Sequence, residues 1–218
     1  MSNTLFLRLE GPLQAWGERA RWSVRDTTTE PTKSGVVGLL GCALGLAEDK
    51  DLLELSSSLR MGVRCDREGV FLTDYHTIFG GILSAEGKIK RDTQLSNRTY
   101  LCDASFLVAL QAEEGWIDRL SAAVQHPCWQ VFLGRKSCVP TLPIYEGVGD
   151  FPSLISALQN WPYQGKASQS EQDLRVVIEI DTGEGVQRRD EVLSNSRRTF
   201  LPRYTLEKRI LPVRQEEG

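Results

Sequence analysis

The sequence predicts an α+β protein of the ferredoxin-like kind, with a basic arm inserted in its middle and a loop-rich, β-containing C-terminal part. Three observations carry this. Apolar runs follow one another in the order strand, helix, strand, strand, helix, strand, which is the β-α-β-β-α-β arrangement. The 218 residues suffice for one or two domains with a sizeable core. A composition of 40% hydrophobic and 25% charged residues excludes a collagen, a disordered tail and a membrane bundle.

Thr4–Glu10 alternates apolar and charged residues and reads as a strand. Residues 11–33 are rich in Arg, Thr and Trp and have no period; loops of this length in compact domains usually have a task. Ser34 reads as the N-cap of a helix reaching about Leu46. Gly35, Gly38 and Gly41 lie three apart on it, at a propensity cost of about 1 kcal/mol each, and are expected to let it pack closely on a sheet. Residues 59–66 and 70–77 are strands joined by a tight turn ending in Gly69. Residues 78–99 are the arm, polar and basic, with Gly80, Gly81 and Gly87.

Residues 100–111 read as one strong strand, 116–124 as a helix stopping before Pro127, and 129–133 as a short strand. After Pro140 the pattern weakens, with Pro143, Pro152 and Pro162 punctuating loops and Leu174–Ile180 as one more strand. The expected organisation is a sheet-and-helix unit over residues 1–145, interrupted by 78–99, and a C-terminal β/loop region over 146–218 packed on it.

The 26 basic and 29 acidic residues give a net charge of −3, which argues against a uniformly basic nucleic-acid binder. The distribution is uneven. Residues 88–98 hold Lys88, Lys90, Arg91 and Arg98 against Asp92 alone, and residues 186–214 hold eight bases against three acids. A basic groove on an acidic protein is compatible with this; solvated charged faces are the other reading. The five cysteines, Cys42, Cys65, Cys102, Cys128 and Cys138, are odd in number and form no C-x-x-C. They read as reduced, mostly buried thiols rather than disulfides or a zinc site. The longest apolar run, residues 35–47, has thirteen residues, short of the roughly 20 a membrane span needs. No export signal is seen at the N-terminus, so a cytoplasmic protein is expected.

No phosphate-binding Gly-x-x-x-x-Gly-Lys-Ser/Thr loop and no Gly-x-Ser-x-Gly elbow occurs. With two histidines, His76 and His126, a metal hydrolase would be short of ligands, and no cofactor or metal is expected. His126 reads as finishing the second helix. His76, in Asp74-Tyr75-His76-Thr77, has two readings: a hydrogen-bonded strand-end histidine, or a general acid–base that cleaves RNA without metal together with Tyr75 and a lysine. Gly134-Arg135-Lys136 reads either as a surface turn or as a close backbone approach to a phosphate flanked by two cations. Trp16 and Trp22 interleaved with Arg19, Arg21 and Arg25 suit single-stranded nucleic acid, by stacking and phosphate pairing. Tryptophans that merely anchor the loop account for the aromatic half equally well.

Five motifs in order resemble the CasD family, the CRISPR-associated 5′-handle-binding subunits of type I-E Cascade. They are Gly11-Pro12-Leu13-Gln14-Ala15-Trp16-Gly17, residues 31–41 (PTKSGVVGLLG), Asp74-Tyr75-His76-Thr77, residues 100–106 (YLCDASF) and Leu133-Gly134-Arg135-Lys136-Ser137-Cys138. The resemblance implies a RAMP-type, RRM-like palm, with residues 78–99 where an inserted thumb belongs. It implies a non-catalytic subunit that grips the 5′ handle of the crRNA. The expected neighbours are a CasC-type backbone subunit and a CasA-type large subunit, with target DNA met through the assembled complex. Repeat cleavage would belong to a separate subunit, CasE. The RNA-binding set expected from motifs and resemblance together is Trp16, Arg19, Arg21, Arg25, Lys33, Ser34, Tyr75, His76, Lys88, Lys90, Arg91, Arg98, Gly134, Arg135 and Lys136.

Overall fold

The computed structural model describes residues 2–18, 23–84, 86–164, 173–181 and 183–213. In chain order the elements are β1 (Thr4–Glu10), β2 (Leu13–Gln14), β3 (Val24–Arg25), α1 (Lys33–Leu44), α2 (Asp49–Ser58), β4 (Arg60–Arg67), β5 (Val70–Ile78), β6 (Ile82–Leu83) and β7 (Ile89–Lys90). Then follow β8 (Gln94–Cys102), β9 (Ser105–Gln111), α3 (Glu114–Gln125), β10 (Tyr145–Gly149), α4 (Leu154–Asn160), β11 (Leu174–Ile180), β12 (Val186–Ser194) and β13 (Thr199–Ile210). The class is mixed α+β. A seven-stranded sheet has the order β10-β1-β9-β4-β11-β13-β12, antiparallel at every pairing.

Successive side chains on a strand point to opposite faces, and β1 uses both. Leu5, Leu7 and Leu9 join Val108, Leu110, Met61 and Val63 under α1 and α3, through Val36, Leu40, Ile117 and Leu120. Phe6 goes the other way, to Leu107, Ala109, Val176 and the Leu154 and Leu158 side chains of α4. Each such apolar side chain contributes about 1.5–3 kcal/mol on full burial. A sheet covered on both faces explains why the strands read as near-continuous apolar runs.

Arg8 interrupts that run and is buried with partners. Its Nη1 lies 2.6 Å from Asp66 and its Nη2 3.1 Å from Glu146. Burial opposes its charge, but the Glu146 and Asp66 carboxylates prevail and hold the guanidinium above its ordinary value. Arg64, also buried, pairs with Asp66 at 2.6 Å and donates to the carbonyls of Leu158 and Trp161 at the end of α4. Those carbonyls lack partners within the helix.

Several sequence expectations are corrected. Thr32, not Ser34, caps α1: it is extended, and its hydroxyl accepts the Gly35 N–H. Of the three glycines, a Cβ on Gly35 would meet the Trp16 ring at 2.8 Å and one on Gly41 would meet Leu52 of α2 at 2.6 Å. They admit a loop tryptophan and a second helix, and Gly38 faces open space. Helix α2 was not expected; its Leu52 and Leu55 are buried beneath an acidic face. The strand expected over 100–111 is two, β8 and β9, parted by a turn in which Asp103 takes φ 56°. Residues 129–133 form no strand. Backbone donors of Cys128 and Trp129 go to the Ala43 and Cys42 carbonyls at the C-terminal end of α1, and β10 takes the place beside β1. The region after Pro140 is not chiefly loop: β11, β13 and β12 continue the sheet from β4. The thiols are free, but only Cys65 and Cys138 are buried, and Cys128 is exposed. His126 is the C-cap of α3, as expected.

Candidate nucleic-acid interface

Beside the large sheet, β8 gathers a second one: β2, β3 and β5 all pair with it. The β5–β8 ladder runs from Val70 opposite Cys102 to Ile78 opposite Gln94, so the last part of the expected arm belongs to β8. Beyond the ladder, β6 and β7 form a small hairpin. Lys88, Lys90 and Arg91 are exposed there, and none forms an ion pair among the described residues.

The loop between β2 and α1 is pinned at its neck. The Trp16 N–H donates to the Thr27 hydroxyl at 2.8 Å, and the Thr28 N–H and hydroxyl both donate to the Trp16 carbonyl. Short polar side chains satisfy the backbone here, in the usual manner of tight loops. Between these ends β3 runs parallel to β8, and Arg25 stands opposite Arg98. Like charges directly opposite on a sheet are destabilising.

Arg135 reaches the same place from the turn after Phe132. Its guanidinium lies 4.6 Å from the centre of the Tyr100 ring. It donates to the carbonyls of Thr99 (3.0 Å), Arg25 (3.0 Å) and Asp26 (3.2 Å). One fork thus ties the arginine-bearing loop to β8. Arg25, Arg98, Arg135 and Lys136, with Phe132, Gly134 and Ser137, line a cleft of about 480 Å³. Burial, then repulsion from Arg198, Arg135 and Arg98, pulls the Arg25 guanidinium below its ordinary value. The Arg98 Nε is buried without a hydrogen-bond partner among the described residues. Clustered, partly desolvated cations of this kind favour an anion between them.

The expected site residues divide. Arg25, Arg98, Arg135 and Lys136 converge, although nothing in their spacing announces it. Arg198, which adds to that field from the turn between β12 and β13, is absent from the expected set; its one sequence signal is the Arg197-Arg198 pair in the basic tail. Trp16 is corrected: it is 1% exposed, and its Nε1 donates to Gln14, so it anchors the loop and offers no stacking face. Lys33 is corrected too. It is buried, with Nζ 3.1 Å from Glu179 and 3.4 Å from Glu191, so its charge is spent inside the protein. Ser34 is half-buried in the first turn of α1. Gly134 has φ +85°, and a Cβ there would lie 1.7 Å from the Ala15 carbonyl oxygen; its demand is close packing against Ala15. Arg19, Arg21 and Trp22 lie outside the described residues. Tyr75 is exposed, and His76 lies 4.0 Å from Asp74 on the same strand. As strand neighbours, Tyr75 and His76 project to opposite faces, which separates the pair that metal-free RNA cleavage would use.

The fold and the cleft define a mixed α+β protein with an electropositive groove where a long loop meets an extended hairpin. The chain belongs to the family of CRISPR-associated proteins described as Cas_Cas5, whose model matches residues 4–215. It is 38% identical over 187 residues to the CRISPR system Cascade subunit CasD of Escherichia coli (strain K12), covering 80% of this chain and 84% of that protein. Among solved structures it is similar to a chain described as a Cas protein (TM-score 0.76, 38% identity, 99% of this chain and 100% of that one). It is also similar to a chain of a CRISPR RNA-guided surveillance complex (TM-score 0.76, 28% identity, 95% and 90%).

Proposed function

We propose that this chain is a non-catalytic crRNA-binding subunit of a type I-E Cascade complex, holding the 5′ handle of the crRNA. The observation that carries the reading is the cleft. Three segments distant in sequence bring Arg25, Arg98 and the Arg135–Lys136 pair to one groove, at an electrostatic cost that a polyanion would remove. Phosphate oxygens are suitable partners for such a cluster. The strand order β10-β1-β9-β4, with α1 and α3 on one face, supports reading residues 1–145 as a ferredoxin-like palm of the RAMP type, although β10 straddles the boundary at 145/146. In the same reading residues 78–99 are a thumb, and residues 146–218 are a C-terminal region packed on the palm.

The partners of this reading are the crRNA, a CasC-type backbone subunit, a CasA-type large subunit and, through the assembled complex, target DNA. Val70, Phe71, Leu72 and Tyr75 stand exposed on β5 and Phe79 beyond it, an apolar stretch that suits contact with a neighbouring subunit. The setting is the cytoplasm; among the described residues no helix is long and apolar enough to cross a membrane. Incubation of the purified chain with CRISPR repeat RNA in EDTA tests the non-catalytic part. Intact RNA is expected. Cleavage that disappears in His76→Ala would replace this reading with a metal-independent endoribonuclease.

A further inference from the structure

We infer that a second pocket beside the cleft, walled by Trp129 and Phe132, takes one unstacked nucleobase of the RNA whose phosphates lie in the cleft. The inference rests on the RNA-binding reading above and adds where a base is read. The pocket has a volume of about 410 Å³ and is lined by Cys42, Trp129, Gln130, Phe132 and Lys136, within the usual range of small-ligand pockets. Phe132 and Lys136 also line the basic cleft. A strand bound along the cleft therefore meets an aromatic wall at its next step, with a lysine at the seam.

A single exposed tryptophan is ordinary on a protein surface. The mounting of this one is not. The Trp129 N–H donates to the Cys42 carbonyl at 3.0 Å, and the Cys128 N–H donates to the Ala43 carbonyl at 2.9 Å. The backbone is thus fixed to the end of α1 while the side chain stays 46% exposed. With the backbone already fixed, only the side-chain torsions of Trp129 remain to be ordered when a base stacks on the ring. Gln130, exposed next to it, carries an amide that both donates and accepts, suited to a base edge. Alternating aromatic and cationic walls are how single strands are held. The role that the sequence offered to Trp16 falls to Trp129.

The test uses the full-length chain and labelled single-stranded RNAs of one length, in each of which a different base is replaced by an abasic ribose. For wild-type protein one position is expected at which base removal lowers affinity about 5- to 150-fold, the effect of losing one stacked base. Trp129→Ala should lower affinity for the intact RNA by a similar factor and abolish the penalty at that position, and Trp129→Phe should restore both. Wild-type affinity in Trp129→Ala, or a positional penalty that survives the substitution, overturns the subsite. If Arg25→Ala still weakens binding in that case, the RNA-binding reading stands without it. Wild-type protein that binds none of these RNAs, alone or co-assembled with the Cascade subunits, overturns both.

Discussion

Arg135 and Gly134 show how a motif can be legible while its mechanics are not. Gly-Arg-Lys stands out in the sequence as a phosphate-type turn, and the turn does line the cleft. Yet three of the Arg135 hydrogen bonds go to carbonyls of residues 25, 26 and 99. No spacing rule reveals partners that far away. The side chain acts as a positioning residue that fixes Arg25 against Arg98. Arg135→Ala should weaken RNA binding by about 1–3 kcal/mol and lower stability by a comparable amount, because it removes the shared donor of three partly buried carbonyls. Arg135→Lys should behave more like Ala than like wild type, since an ammonium cannot reproduce the planar fork. A direct phosphate contact predicts the opposite, rescue by Lys, and an affinity titration beside a denaturant titration separates the two. Gly134→Val should destabilise the fold even without RNA, through its contact with the Ala15 carbonyl and its positive φ. Unchanged melting of that variant would refute this.

At the level of elements, the arm and α2 make independent predictions. On the β6–β7 hairpin Lys88, Lys90 and Arg91 gain no ion pair among the described residues, so their charge is free to release counterions from a nucleic acid. If each meets one phosphate, replacing all three by Ala should make the salt dependence of crRNA binding shallower by about 2 units, at about 0.7 per phosphate for single strands. The loss should be alike for different guide sequences. An unchanged slope would assign these charges to solvent or to a protein neighbour. Helix α2 is latched to the turn between β12 and β13. The Asp49 carboxylate accepts from the Ser194 and Ser196 hydroxyls and from the backbone of Asn195 and Ser196. Those bonds lower its pKa to about 2 from 3.8. A carboxylate depressed on folding stabilises the native state above its unfolded pKa and loses that contribution as pH falls through its folded pKa. Asp49→Asn should therefore be less stable than wild type from neutral pH down to about pH 4, with the difference closing toward pH 2. A difference constant over this range would rule the latch out. The sequence shows Asp49 only as one of an acidic cluster, because its partners lie some 145 residues away.

Over the whole molecule, the elements set by local period were legible: β1, α1, β4, β5, α3 and β11 stand close to where the pattern places them, although α1 is capped by Thr32 rather than Ser34. What was not legible depends on where backbone donors go. Residues 129–133 read as a short apolar strand, but the Cys128 and Trp129 donors are taken by the end of α1. The C-terminal basic run looks solvated, yet Arg203 lies buried 2.7 Å from Asp190, and Arg188 pairs with Glu30. Both sit on strands that extend the sheet from β4, so these two charges of the tail belong to the fold. The charge offered to the RNA is that of Arg25, Arg98 and Lys136 in the cleft, with Arg198 beside it, and of the arm, a small part of a protein that is acidic in sum. That division is the central claim, and protection of the crRNA 5′ end in the assembled complex tests it most directly. Cascade subunits co-expressed with a CRISPR array and this chain should yield a complex whose crRNA 5′ handle resists added ribonuclease. With the Arg25→Ala/Arg98→Ala variant, the handle should become sensitive while the guide stays protected. A handle equally protected in the variant complex, or in a complex of otherwise full composition lacking this chain, would contradict the account.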